Sequence, residues 1–169
     1  MTERQNVSAL DDPQDPSQLD GLDNKEVRKL LVAGITEVLR DFGFKKNGYS
    51  SWTRKVGSSL HLVYLQRSQV SHNYYIEFGI CEDGAIPARQ KPDIADCKKR
   101  ERIDHAASAA EVPEVVALMK NQIHGLLNFQ GPEDEYQWPR GLAGWKIDEI
   151  KKLIRETVPI WFSSREKIE

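Results

Sequence analysis

Cysteine is scarce in this chain: Cys81 and Cys97 are the only 2 in 169 residues. They do not form a Cys-x-x-Cys pair and no histidine stands at a partner interval, so no zinc-binding pattern is present. The four histidines, His61, His72, His105 and His124, are isolated in sequence, without the i, i+4 pair of a helical metal site. Long apolar runs are missing too: none approaches the roughly 20 residues that span a bilayer. An excess of charge of one sign is also lacking. Twenty-four Lys and Arg against 26 Asp and Glu leave a net charge of −2, which gives no overall attraction to nucleic acid or to an anionic membrane. There is no Gly-x-Ser-x-Gly elbow and no phosphate-cradling loop, since Gly141-x-x-Gly144 is too short to be one. The opening MTERQNVSALDD is polar and acidic, unlike a signal peptide. A cytoplasmic location with reduced thiols is therefore expected. Lys98, Lys99 and Arg100 beside Cys97 would depress the pKa of an exposed thiol; a buried, inert Cys97 is the plainer reading.

What is present suits one compact domain. Hydrophobic residues make up 39% and charged residues 30% of the chain, ordinary values for a globular protein. A domain of about 150 residues buries roughly 70% of its unfolded surface and needs no staple. Residues 1–22 are rich in Asp, Gln, Ser and Pro and read as a disordered tail. Residues 23–169 form the expected domain.

A first helix is marked by Val27, Leu30, Leu31, Gly34, Ile35, Val38, Leu39 and Phe42 on one stripe. Asp23 and Glu26 make a capping-box pattern and Gly43 a left-handed stop. Gly34 on the buried face suggests close approach of a strand. Three strands follow, at Tyr49–Lys55, Leu60–Arg67 and Asn73–Ile80, the first two joined through Val56-Gly57-Ser58-Ser59. Leu60, Leu62 and Tyr64 face one way and His61, Val63 and Leu65 the other, as in a central strand covered on both sides. Short connections favour an antiparallel meander. Beyond it come a mixed-charge run, Lys98–Arg102, and a helix opened by Pro113 with Val115, Val116, Met119, Ile123, Leu126 and Leu127 facing the core. Residues 131–144 read as a long loop. A last helix is expected from about Trp145 to Val158, stopped by Pro159, with Ile160-Trp161-Phe162 docking on the sheet or the first helix. The fold class is α+β: an antiparallel meander of three to five strands packed against an N-terminal helix and two or more C-terminal helices.

Several segments resemble a known family. They are Phe42-Gly43-Phe44-Lys45-Lys46-Asn47-Gly48, Trp52-Thr53-Arg54, Val63-Tyr64-Leu65-Gln66-Arg67-Ser68 and Tyr74-Tyr75-Ile76-Glu77-Phe78-Gly79-Ile80. Asp96-Cys97 with Arg100 and Arg102, and the closing Pro159-Ile160-Trp161-Phe162, extend the likeness. Together these are similar to an uncharacterised bacterial family catalogued as domain of unknown function 4304. The resemblance implies a small cytosolic α+β domain; it carries over no activity and no catalytic residues.

The candidate site is therefore a polar set borne on strands. Arg54, Gln66 or Arg67, Tyr75 and Glu77 lie near strand ends or on the less apolar faces, and adjacent strands can gather Arg67, Tyr75 and Glu77. Arg with Tyr suits an interface hot spot; Arg with Glu suits a cross-strand ion pair. Arg100 and Arg102 can join that patch or solvate a helix. The leading function is a non-enzymatic protein-interaction module, of immunity or accessory type for example, with Glu133, Asp134, Glu135 and Trp138 as a partner loop. The alternative is a small enzyme or small-molecule-binding domain with a pocket between the sheet and residues 93–110, lined by Arg67, Tyr75, Glu77, Arg100 and Arg102. Nucleic acid is not the expected partner. If it is one, the contact would be Lys45-Lys46 to Arg54-Lys55, with Tyr49 and Trp52 between the basic residues. No cofactor and no metal are expected.

Overall fold

The computed structural model describes residues 21–69, 73–82, 84, 91–109, 123, 125–129 and 140–166. Residues 1–20 of the expected N-terminal tail, the partner loop around Glu133–Trp138 and most of the helix that Pro113 was expected to open lie outside them, whereas Leu22, expected in the tail, is buried in the core.

Helix α1 (Asn24–Asp41) starts as its sequence dictates. Asp23 accepts from the Glu26 amide at 2.8 Å and Glu26 accepts from the Asp23 amide at 2.9 Å, satisfying two orphan donors. Val27, Leu31, Gly34, Ile35, Val38 and Leu39 are buried, but Leu30, on the same stripe, remains 41% exposed. Gly43, with φ 82°, takes the left-handed position that ends the helix. The chain then runs through β1 (Lys45–Lys46), β2 (Ser51–Val56), β3 (Ser59–Arg67), β4 (Tyr74–Glu82) and, after a 3₁₀ turn at Ile94–Asp96, β5 (Lys99–Arg102). All four pairings are antiparallel, and strand order follows chain order. Gly57 (φ 58°) supplies the turn between β2 and β3, where Val56 pairs with Ser59. Helices α2 (Ile103–Ala109) and α3 (Arg140–Glu166) follow.

The pleat divides the sheet as the alternation requires. Trp52, Val63, Leu65, Tyr74, Ile76, Phe78 and Ile80 face the helices in the main core. Leu62 and Cys81 face outward, where Ile94 and Cys97 cover them and Leu60 and Tyr64 flank them. A Cβ on Gly79 would lie 2.7 Å from both Cys97 Sγ and Ile94 Cδ1, so glycine lets this cap sit directly on β4.

Three expectations need correction. Gly34 admits a helix rather than a strand: a Cβ there would lie 2.9 Å from Ile147 Cγ2 of α3. The last helix does not stop at Pro159, which lies inside α3, and it begins at Arg140, within the expected loop. The missing Pro159 amide costs a helical hydrogen bond. Burial of Val158, Trp161 and Phe162 at 0–2% exposure offsets it, because aromatic side chains carry the largest apolar areas. Finally, Cys81 and Cys97 are not free thiols but form a disulfide, with Cα atoms 4.2 Å apart. Their side chains meet because the 3₁₀ turn folds onto the outward face of β4.

The C-terminal half of α3 is tied to the edge of the sheet. Glu101 of β5 accepts from Trp161 Nε1 at 2.8 Å and from Arg165 Nη2 at 2.9 Å, and Lys99 Nζ donates to the Arg165 carbonyl at 3.0 Å. Lys146, nearer the start of α3, donates to the carbonyls of Gly125 and Asn128, fixing the segment that follows Ile123.

Candidate functional site

On β4 and β5 the register decides which polar side chains meet. Glu77 pairs with Arg102 and Gly79 with Arg100, so Tyr75, Glu77, Arg100 and Arg102 share the outward face. The Arg102 guanidinium lies 4.4 Å from the Tyr75 ring centroid, and its Nε is 3.5 Å from Glu77 Oε1. The Glu77 side chain is only 14% exposed, against 48% for Arg102. Arg102 is therefore held on two sides, by a ring and by a carboxylate, while half its surface faces solvent. Gln66, exposed, stands opposite Tyr75, and half-buried Tyr64 stands opposite Glu77. Arg67 is separated from this group: it pairs with Tyr74 and so belongs to the helix-side face.

Of the segment 93–110 that was expected to flank a pocket, Lys99–Arg102 joins the sheet as β5. A hollow of about 410 Å³ lies by β5 and α3 and is lined by Lys98, Lys99, Arg100, Glu101, Trp161 and Arg165. Of the five residues expected to line a pocket, it contains Arg100 alone. No group of three or more His, Cys, Asp or Glu that could hold a metal occurs among the described residues. No helix among them is long and apolar enough to cross a membrane.

A second polar centre escapes sequence reading. His61 is fully buried, with its ring stacked 4.4 Å from that of Phe162. Its Nδ1 accepts from Arg54 Nε at 3.0 Å, and its Nε2 lies 2.7 Å from Glu166 Oε1. A guanidinium only donates, so Nδ1 must be unprotonated and Nε2 carries the hydrogen. Arg54 also donates to the Phe42 carbonyl at 2.9 Å and lies 4.7 Å from the Phe44 ring centroid. Its pKa is pulled down by burial, which Glu166 opposes. These three residues bring the β2–β3 hairpin against the end of α3, although His61 Nε2, for all its closeness to Glu166, makes no aligned hydrogen bond. They are 7 and more than 100 positions apart in sequence, so no local signal could have joined them.

Burial and the neighbouring Arg54 charge hold His61 down to about 4. Below the ordinary histidine pKa of about 6.5 the unfolded chain takes up a proton that the folded chain refuses. The stability contributed by this depressed group is therefore present at neutral pH and lost as pH falls from about 6.5 toward 4. Urea titrations are expected to show a loss of about 2 kcal/mol between pH 7.5 and pH 5. The loss should be largely absent from His61→Gln; an unchanged slope in that variant would place the titration elsewhere.

Residues 35–164 match the family described as Domain of unknown function (DUF4304). The chain belongs to that family. No curated protein and no solved structure matches the chain. The matched DUF4304 region runs from α1 to the last turns of α3, and so includes both polar centres except Glu166.

Proposed function

We propose that this DUF4304 domain is a non-enzymatic binding module that engages a protein partner through the outward face of β4 and β5. The observation that carries the reading is Arg102, stacked on Tyr75 and braced by Glu77 while half exposed. Tyrosine and arginine dominate interface hot spots when neighbouring groups fix them in place. The patch adjoins an edge strand, β5, whose side chains Arg100 and Arg102 project outward with Lys98 nearby. A partner presenting carboxylates complements that edge. Partners of immunity or accessory type fall within this class.

The test is a binding titration of the co-purifying partner against three forms of the domain. Tyr75→Ala and Arg102→Ala are each expected to weaken binding by roughly 30-fold, the level of a hot-spot residue. Lys152→Ala, on the exposed face of α3, is expected to leave it unchanged. Equal affinity for all three forms would remove this face from the interface.

A further inference from the structure

The groove between α1 and β1 gathers positive charge from Lys29, Arg40 and Lys46. It is a hollow of about 350 Å³, floored by Val32 and lined by Lys29, Thr36, Arg40, Lys46 and Tyr49. Each carboxylate of α1 has a partner outside the groove, though Glu37 also feels the Arg40 charge. Glu26 caps the helix, Glu37 pairs with Lys151 at 3.0 Å, and Asp41 lies 3.8 Å from Arg155. Lys29, Arg40 and Lys46 form no ion pair among the described residues. A chain of net charge −2 thus presents a basic strip on one side.

Two features narrow the ligand. Lys29 and Arg40 are eleven residues apart on one helix, about 16 Å along its axis. A single phosphate cannot bridge that span, but about five nucleotides of a strand can, at roughly 3.4 Å each. Tyr49 stands at the same groove with 55% of its surface exposed, positioned by the Arg28 guanidinium 4.7 Å from its centroid and by Lys46 Nζ at 5.6 Å. An exposed ring among cations is a stacking platform for an unpaired base. We propose that this groove binds a short stretch of single-stranded nucleic acid, Lys29, Arg40 and Lys46 meeting phosphates and Tyr49 stacking on a base.

The structure selects different residues from the basic stretch in the sequence. Trp52 is 1% exposed, with its Nε1 on Thr36 Oγ1 at 2.9 Å, and Arg54 belongs to the buried His61 cluster. Only Lys46 and Tyr49 of that stretch line the groove, and α1 supplies the rest.

The test is fluorescence anisotropy of labelled oligo-dT and oligo-U with the full chain, at low and at physiological salt. Binding is expected to weaken with salt at a log–log slope of about 2, as for three phosphates on a single strand. The triple variant Lys29→Gln, Arg40→Gln, Lys46→Gln is expected to lose roughly tenfold or more in affinity. Tyr49→Ala should lose roughly fivefold to a hundredfold. All four side chains are exposed, and circular dichroism checks that the variants fold. Absence of binding at low salt, or unchanged affinity in the triple variant, overturns the proposal. So does displacement of the strand by polyglutamate, or by duplex, as readily as by unlabelled strand.

Discussion

Replacing Phe162 with alanine is expected to cost about 3–5 kcal/mol, the range for deleting a fully buried aromatic side chain. The ring is 0% exposed. Its centroid lies 4.8 Å from Trp161, 5.6 Å from Phe44, 5.7 Å from Phe78 and 4.4 Å from His61, and Arg54 stacks on it at 5.2 Å. Truncation therefore removes apolar burial and also opens the packing that keeps His61 dry. The loss is a large share of the roughly 5–15 kcal/mol that holds a domain folded. Urea unfolding should show a lower midpoint with little change in slope. Ile160, two residues earlier and 38% exposed, is the control: Ile160→Ala should cost well under about 1 kcal/mol. Similar effects at both positions would mean that the end of α3 does not pack on the sheet as described.

Breaking the Cys81–Cys97 disulfide is expected to cost about 3 kcal/mol, from the freedom restored to an unfolded loop of about this length. The two residues are 16 apart in sequence. For a chain of this size the melting temperature should fall by roughly 6–12 °C on reduction. The loss is also local. The disulfide pins the Ile94–Asp96 turn over Leu62 and Gly79, directly beside the Tyr75–Arg102 face. The double variant Cys81→Ala, Cys97→Ala should melt at the temperature of the reduced wild type and should not respond to reductant. A wild-type melting temperature indifferent to reductant would show that the pair contributes nothing to the folded state.

The sequence carried the central architecture plainly. Asp23 with Glu26 announced α1, alternation in Tyr74–Ile80 marked β4, and the run Leu60–Leu65, apolar on both faces, marked β3 as a central strand. The edge strands were not legible. Lys45–Lys46 and Lys99–Arg102 are wholly charged, as suits edges that pair on one side only, and charge without alternation gives no strand signal. The length of α3 was hidden by Pro159, whose local cost is outweighed by the burial of Trp161 and Phe162. Of the candidate patch, Tyr75 and Glu77 follow from the alternation of a single strand. Adding Arg102, and excluding Arg67, needed the pairing register. The Arg54–His61–Glu166 cluster depends on contact between distant segments, and the α1–β1 groove on how two neighbouring elements fold back on each other, neither of which periodicity encodes.

The central claim is that the β4–β5 face meets a protein partner, and site-specific photo-crosslinking in the cells that make this chain tests it most directly. A photoreactive residue at Gln66, exposed opposite Tyr75, should yield one discrete adduct. Arg102→Glu should abolish that adduct, and the same probe at Lys152 should yield none. No adduct from Gln66, or one of equal yield from both positions and indifferent to Arg102, would contradict the account.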